Sequence, residues 1–350
     1  GMSYNNYLLL DEKVVLFDTI DRAVEERFFE TLEYLLDGRE IDYIIVDHVE
    51  PDHSATLSAV ADAHPRAKLV CTKICKTLIG QFFGPELEAR CMVVGDGDSL
   101  STGAHTLAFA TATMVHWPEV MVTYDVTDKI LFSADAFGAF GGLDGKLFDD
   151  MYDFEEELLD ETRRYYANIV GKYGTQVNEL LDKADTLDIK MICPLHGVII
   201  RDNIDLIKEK YRTWASYEPE DEAVVIAYAS VYGGTRDVAE KLAFKLSDAG
   251  IHDLALFDLS VTDPSYVLAD AFRASNIVLA SVTFNADVFP KMKELVDCFV
   301  DHNLRRRRFS FIQNGSWGPI AGKKMMQAVE GIPEHEVVGE LFTILSLIHI

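Results

Sequence analysis

The sequence predicts two α/β domains in tandem, the second a doubly wound parallel sheet. Three observations carry this. The chain has 350 residues, 49% of them hydrophobic, which is more than one ordinary core encloses. Residues Ala215–Glu222 (ASYEPEDE) are polar and acidic and contain Pro219, the composition of a linker. Beyond them strands and helices alternate regularly, a rhythm that implies parallel strands covered by helices. The expected boundaries are 1–216 for the first domain, 217–222 for the linker and 223–350 for the second domain.

In the first domain Lys13–Thr19 reads as a strand and Arg22–Leu36 as an amphipathic helix. Tyr43–Asp47 is a short apolar run, expected as a buried strand ending in a polar loop. Lys68–Cys71, Thr106–Ala110, Val120–Tyr124 and Lys129–Phe132 read as further strands. A helical stretch Glu155–Ala184, a strand Lys190–Cys193 and a helix near Asp202–Trp214 follow. In the second domain the expected strands are Val224–Tyr228, Leu254–Leu259, Ile277–Ser281, Phe309–Gln313 and Glu336–Phe342. Between them lie helices Arg236–Ala249, Ser265–Phe272, Pro290–His302 and Gly322–Val329. The basic run Arg305–Arg308 reads as a solvated edge, or as a docking spot for an acidic redox partner.

The net charge is −26, from 58 acidic and 32 basic residues. Such a field repels nucleic acid and anionic membranes. No apolar run is long enough to suggest a membrane span. Five cysteines without a CxxC pair argue for a reducing cytoplasm and against a built-in iron–sulfur or rubredoxin module.

The densest chemical cluster is His48-Val49-Glu50-Pro51-Asp52-His53, directly after an apolar strand. Pro51 argues against a helix across it, so the side chains are expected to project from a loop. Two histidines and two carboxylates are costly to gather without a cation to neutralise them. His116 in Val-His-Trp-Pro, Asp135 in Ser-Ala-Asp-Ala and His196 in Pro-Leu-His-Gly also follow apolar stretches or strands. Ligands at successive strand ends can converge on one rim of a sheet.

This pattern resembles the metallo-β-lactamase fold, HxHxDH followed by spaced His, Asp and His. Here Glu50 replaces the second histidine, and HxExDH is the variant of flavodiiron proteins. A carboxylate in place of imidazole hardens the site and favours iron over zinc. The resemblance implies that His48, Glu50 and His116 bind one iron and that Asp52, His53 and His196 bind the other. Asp135 is then the bridge.

A second constellation lies beyond the linker. Ala229–Thr235 (ASVYGGT) joins a strand to a helix, and its backbone N–H groups with Ser230 and Thr235 make an anion cradle around Tyr232, Gly233 and Gly234. It has no lysine and so is no triphosphate loop. Two further strand ends place an aromatic ring among small polar residues: Ser281, Thr283, Phe284 and Asn285, then Asn314, Gly315, Ser316, Trp317 and Gly318. Aromatic rings beside a backbone cradle suit an isoalloxazine, and a flavodoxin-like sheet binds FMN at these strand ends.

In this order the two constellations resemble flavodiiron proteins over essentially the whole chain. The implied architecture is a metallo-β-lactamase-like αββα sandwich followed by a flavodoxin-like doubly wound parallel sheet. The implied activity is reduction of dioxygen to water, of nitric oxide to nitrous oxide, or both. Electrons are then expected from an external donor such as rubredoxin, through FMN, to two iron ions. A head-to-tail homodimer, or a dimer of dimers, is implied because family members hold the two sites of one chain far apart. The alternative is a zinc hydrolase fused to an accessory flavodoxin domain.

Both ends read as cut. The opening Gly-Met-Ser-Tyr-Asn resembles a segment that lies well inside flavodiiron proteins, and the second domain stops after its fifth strand. The tail Leu345–Ile350 reads as translated sequencing adapter, so that His349 is expected to have no function. Different codons in the gene would rule the adapter out.

Overall fold

A computed structural model describes residues 1–345; the last five residues of the adapter-like tail lie outside the described residues. The chain divides into two compact units, Gly1–Thr162 with Thr175–Glu209, and Arg163–Gly174 with Lys210 onward.

The first unit holds two five-stranded sheets. One contains β1 (Tyr7–Leu10), β2 (Val14–Phe17), β3 (Tyr43–Ile45), β4 (Lys68–Cys71) and β5 (Cys91–Val93), in that order. Its β1–β2 pair is antiparallel and the rest are parallel. The other contains β6 (Ser99–Ser101), β7 (Thr106–Thr111), β8 (Met121–Asp125), β9 (Ile130–Phe132) and β10 (Met191–Cys193), ordered β10-β9-β8-β7-β6. All of β2 is buried because its alternating side chains enter two different cores. Val15 and Phe17 join Ile45, Val70, Leu107, Phe109 and Met121, and Phe17 stacks on Phe132 of β9. Val14 and Leu16 join Phe28, Leu32 and Leu36 of the helix Glu25–Leu36. Helices therefore cover an apolar sheet pair, the predicted sandwich.

The second unit is a parallel sheet of β11 (Asp221–Ala229), β12 (Leu254–Asp258), β13 (Ala274–Phe284) and β15 (Arg308–Asn314), with the short β14 (Asp287–Val288) folded back on β13. Its order is β12-β11-β13-β15, closed by β16 (Glu336–Val337) and β17 (Phe342–Ile344), both paired with β15. The chain therefore reverses direction across the sheet between β11 and β13, the topological switch point of a doubly wound fold.

Four expectations need correction. Residues 217–222 are not a free linker. Glu220 is buried, accepting hydrogen bonds from Lys210 Nζ at 2.8 Å and Trp214 Nε1 at 2.6 Å and pairing with Arg163. Tyr211, Trp214 and Phe272 each pack against the ring of Tyr166, and 163–174 and 210–216 belong to the second unit. The expected strand Glu336–Phe342 is two short strands, interrupted where Gly339 takes φ +77°. The strand expected to end at Ser281 runs on to Phe284, because β14 supplies it with a partner. Lastly, the basic run is a solvated edge only in part: Arg306 is exposed and Arg308 partly so, pairing with Glu218, Glu334 and Glu222, but Arg307 is fully buried.

Candidate metal centre and flavin loops

The ligand-rich segment leaves β3 and enters a one-turn helix, Pro51–Ser54. The sequence reading expected a loop throughout because of Pro51. Proline is well suited to the first helical position, where its missing N–H has no partner to lose. Glu50 therefore caps the turn, and Asp52 and His53 ride on it. His116 sits between β7 and β8, Asp135 follows β9, and His196 follows β10.

The seven side chains converge as two groups around Asp135. Glu50 Oε2 lies 3.1 Å from His48 Nε2 and 3.0 Å from His116 Nε2. Asp135 Oδ2 lies 3.0 Å from His116 Nε2 and 3.5 Å from His48 Nε2. On the other side Asp52 Oδ2 lies 3.3 Å from His53 Nε2 and 3.4 Å from His196 Nε2. Asp135 Oδ1 lies 3.3 Å and 3.6 Å from the same two nitrogens. One donor atom from each of His48, Glu50, His116 and Asp135 falls within 4.8 Å of the others, and so does one from each of Asp52, His53 and His196. All four imidazoles turn Nε2 inward. Buried Asp52 Oδ1 has no hydrogen-bond partner among the described residues. Such a convergence of donors fits a pair of cations bridged by Asp135.

The carboxylates and imidazoles of the cluster shift one another's protonation. Burial disfavours charge on Glu50, but hydrogen bonds from His116 and His48 outweigh it and hold the carboxyl down at about 2. Burial likewise opposes protonation of His116, yet Asp135 and Glu50 raise it to about 9. His48 and His196 are raised against their burial by Glu119 and by Asp52, respectively. A metal must displace these protons. Metal binding at pH 7 is therefore expected to release protons and to weaken as the pH falls from about 9. Calorimetry in two buffers of different ionisation enthalpy reads the release, and equal apparent heats would contradict it.

Sequence reasoning missed the groups that hold the ligands. Glu119 Oε1 lies 2.8 Å from His48 Nδ1 and accepts from Val49 N at 3.2 Å. Asp18 accepts from His48 N at 3.1 Å. The carbonyl of Ser3 lies 2.7 Å from His196 Nδ1, and Tyr4 meets that imidazole edge-on. Glu119 had one signal, a lone carboxylate in the apolar run after His116. A third group, His105, Asp125 and Asp128, reads as a turn, since Asp125 Oδ1 takes the N–H of Thr127 at 2.9 Å.

The proposed flavin residues lie at the carboxyl ends of β11, β13 and β15. Gly233 has φ +91°, and the helix Gly234–Asp248 begins directly after it. Ser230 Oγ accepts from Gly233 N at 3.1 Å. A Cβ on Gly234 would stand 3.2 Å from Asn314 Nδ2, which itself donates to Thr235 Oγ1 at 3.3 Å. The first and third loops are thereby tied together around an open helix N-terminus. Tyr232 and Trp317 are 99% and 92% exposed, and Phe284 is 43% exposed. Asn285 turns the chain with φ +50°, and Ser316 and Gly318 are exposed beside Trp317. Gly315 is needed for packing, since a Cβ there would meet Pro319 at 3.0 Å. Two predicted contacts are committed elsewhere. Ser281 is buried with its hydroxyl on Val282 O, and Thr283 Oγ1 accepts from Ile320 N and Ala321 N. They shape the site from beneath.

Residues 2–197 match the family described as ODP family beta lactamase. The chain belongs to this family. The chain is also similar to flavorubredoxins and to flavodiiron proteins of known structure. The chain is 32% identical over 326 residues to the anaerobic nitric oxide reductase flavorubredoxin of Vibrio vulnificus, covering 91% of this chain. It spans 64% of the length of that relative. The rubredoxin oxygen:oxidoreductase of Desulfovibrio gigas superposes with a TM-score of 0.93 at 26% identity, over 100% of this chain and 86% of the other. The flavodiiron protein of Giardia intestinalis gives 0.93 at 26%, over 99% and 84%. Among the described residues of this ODP-family chain, no helix is long and apolar enough to cross a membrane.

Proposed function

We propose that the protein is a flavodiiron oxidoreductase that reduces dioxygen to water, nitric oxide to nitrous oxide, or both. The observation that carries this reading is Asp135, whose two oxygens each face a separate histidine–carboxylate group. When bound, two iron ions supply electrons and open coordination positions to a diatomic gas, and FMN supplies one-electron steps between donor and metals.

The chain's own groups perform the rest. His48, Glu50 and His116 would hold one iron, Asp52, His53 and His196 the other, and Asp135 both. Glu119 and the Ser3 carbonyl orient His48 and His196 from behind, so the inward nitrogens are fixed before a metal arrives. Glu50 makes the first position harder than a third imidazole would, which supports iron over zinc. In the second unit the amides at the start of the helix Gly234–Asp248, with Ser230, Thr235 and Asn314, would cradle the FMN phosphate and ribityl edge. Tyr232, Phe284 and Trp317 would flank its ring. The zinc hydrolase alternative is not favoured, because the relatives named above are reductases.

A rubredoxin-like donor, a head-to-tail homodimer and a cytoplasmic setting complete the reading. The test is anaerobic purification followed by turnover of each gas with one reduced donor. Two irons and one FMN per chain, with turnover of either gas, are expected. Two zinc ions without gas turnover would overturn the reading, and a monodisperse monomer with full activity would overturn the dimer.

A further inference from the structure

The two halves of the metal centre are supported from behind by unlike groups. His48 is fully buried, and its outer nitrogen meets Glu119, a carboxylate buried just as deeply. Glu119 is itself held firmly. Its Oε1 takes the Val49 N–H at 3.2 Å, and its carbonyl takes the Thr72 hydroxyl at 2.9 Å, where Thr72 caps the helix Lys73–Phe83. In the other half the outer nitrogen of His196 lies 2.7 Å from a neutral carbonyl, that of Ser3. The outer nitrogen of His53 is buried with no protein partner.

A carboxylate behind an imidazole makes it a stronger donor, adds negative charge near the cation and fixes the ring. A carbonyl fixes the ring without the charge, and an unpartnered ring gains neither. Asp135 offers one oxygen to each half, at 3.0 and 3.5 Å from the first pair of histidines and 3.3 and 3.6 Å from the second, a small bias in the same direction. Glu50 and Asp52 supply one carboxylate apiece. The carboxylate behind His48 is a difference between the halves that a substitution can remove without touching a ligand.

We infer that Glu119 is a positioning residue that makes the centre fill in order, giving the His48–Glu50–His116 half first claim on a divalent cation. This rests on the reading of the site as binuclear. The second half then binds the more exchangeable ion and is the first to empty.

The test is titration of metal-free full-length protein with cobalt(II) under anaerobic conditions, followed by visible absorption and calorimetry. Two phases are expected, the second weaker by at least about 10-fold. Glu119→Gln keeps an acceptor and loses the charge. It is expected to weaken the first phase by about 10- to 100-fold and spare the second, so that the phases merge. Circular dichroism of the metal-free variant checks its fold. An independent pair locates the tight phase whatever Glu119→Gln does: Asp52→Asn should keep it and Glu50→Gln should lose it. A single two-ion phase in the wild type, equal weakening of both phases by Glu119→Gln, or loss of the tight phase in Asp52→Asn would each overturn the inference. Absence of cobalt binding by the wild type would instead overturn the binuclear reading beneath it.

Discussion

Asp135→Ala is expected to cost the protein both metal ions, whereas loss of any other single ligand should chiefly affect one. The reason is geometric. Asp135 Oδ2 faces His48 and His116, and Oδ1 faces His53 and His196. The carboxyl is held well below the usual carboxylate range despite burial, because hydrogen bonds from His116 and His53 outweigh the desolvation that opposes it. Removing it takes one donor and a share of negative charge from each position. Loss of an outer-sphere partner alone weakens metal binding by about 10–100-fold, so losing this bridging ligand should exceed about 100-fold at both positions. Asp135→Asn refines the prediction. Its amide offers one oxygen and one NH₂, so one position should survive better than the other. Metal analysis after dialysis reads both variants, and FMN content in the same samples should be unchanged. An Asp135→Ala protein that keeps two tightly bound ions would refute the bridging role.

Arg307→Met is expected to destabilise the second unit by at least about 3 kcal/mol. The buried guanidinium donates to the carbonyls of Phe272 at 2.6 Å and of Ala271, Tyr217 and Arg305 at 2.7 Å. Replacing a whole buried ion pair by apolar groups is often neutral, because both desolvation costs vanish together. Here the acceptors are backbone carbonyls and remain behind. Each buried acceptor left unsatisfied costs roughly 1–3 kcal/mol, and three of these carbonyl contacts, to Phe272, Ala271 and Tyr217, are buried. Methionine matches the length of the stem, so cavity formation contributes little. Arg307→Lys should fall between, since one ammonium has three donors and no fork. Urea unfolding followed through the tryptophans checks this, and a shift below about 1 kcal/mol would show that the carbonyls find other donors.

Much of the metal centre was legible in the sequence because its donors are chemically rare and regularly placed. Two histidines and two carboxylates in six residues, then His116, Asp135 and His196 each after an apolar run, carry their meaning without coordinates. The proposed flavin loops rest on a related pattern: glycine, small hydroxyl and aromatic residues recur at three strand ends. Partners that act through burial were not legible. Glu119 looks in sequence like any acid near a turn, and Arg307 like one of four solvated arginines. Ser281 and Thr283 looked like ligand contacts, yet their hydroxyls are spent on neighbouring backbone.

The sequence by itself determined the fold class, the order of the two chemistries and the identity of the seven converging donors. Strand periodicity and residue chemistry are local, and a linear pattern records them. Tertiary structure alone decided that Pro51 starts a helical turn rather than breaking one, and that residues 163–174 and 210–216 join the second unit. It also decided that His48 has a buried carboxylate behind it, while the outer nitrogen of His53 has no partner among the described residues. Those outcomes depend on which side chains lose water together, and that is set by packing between segments far apart in the chain.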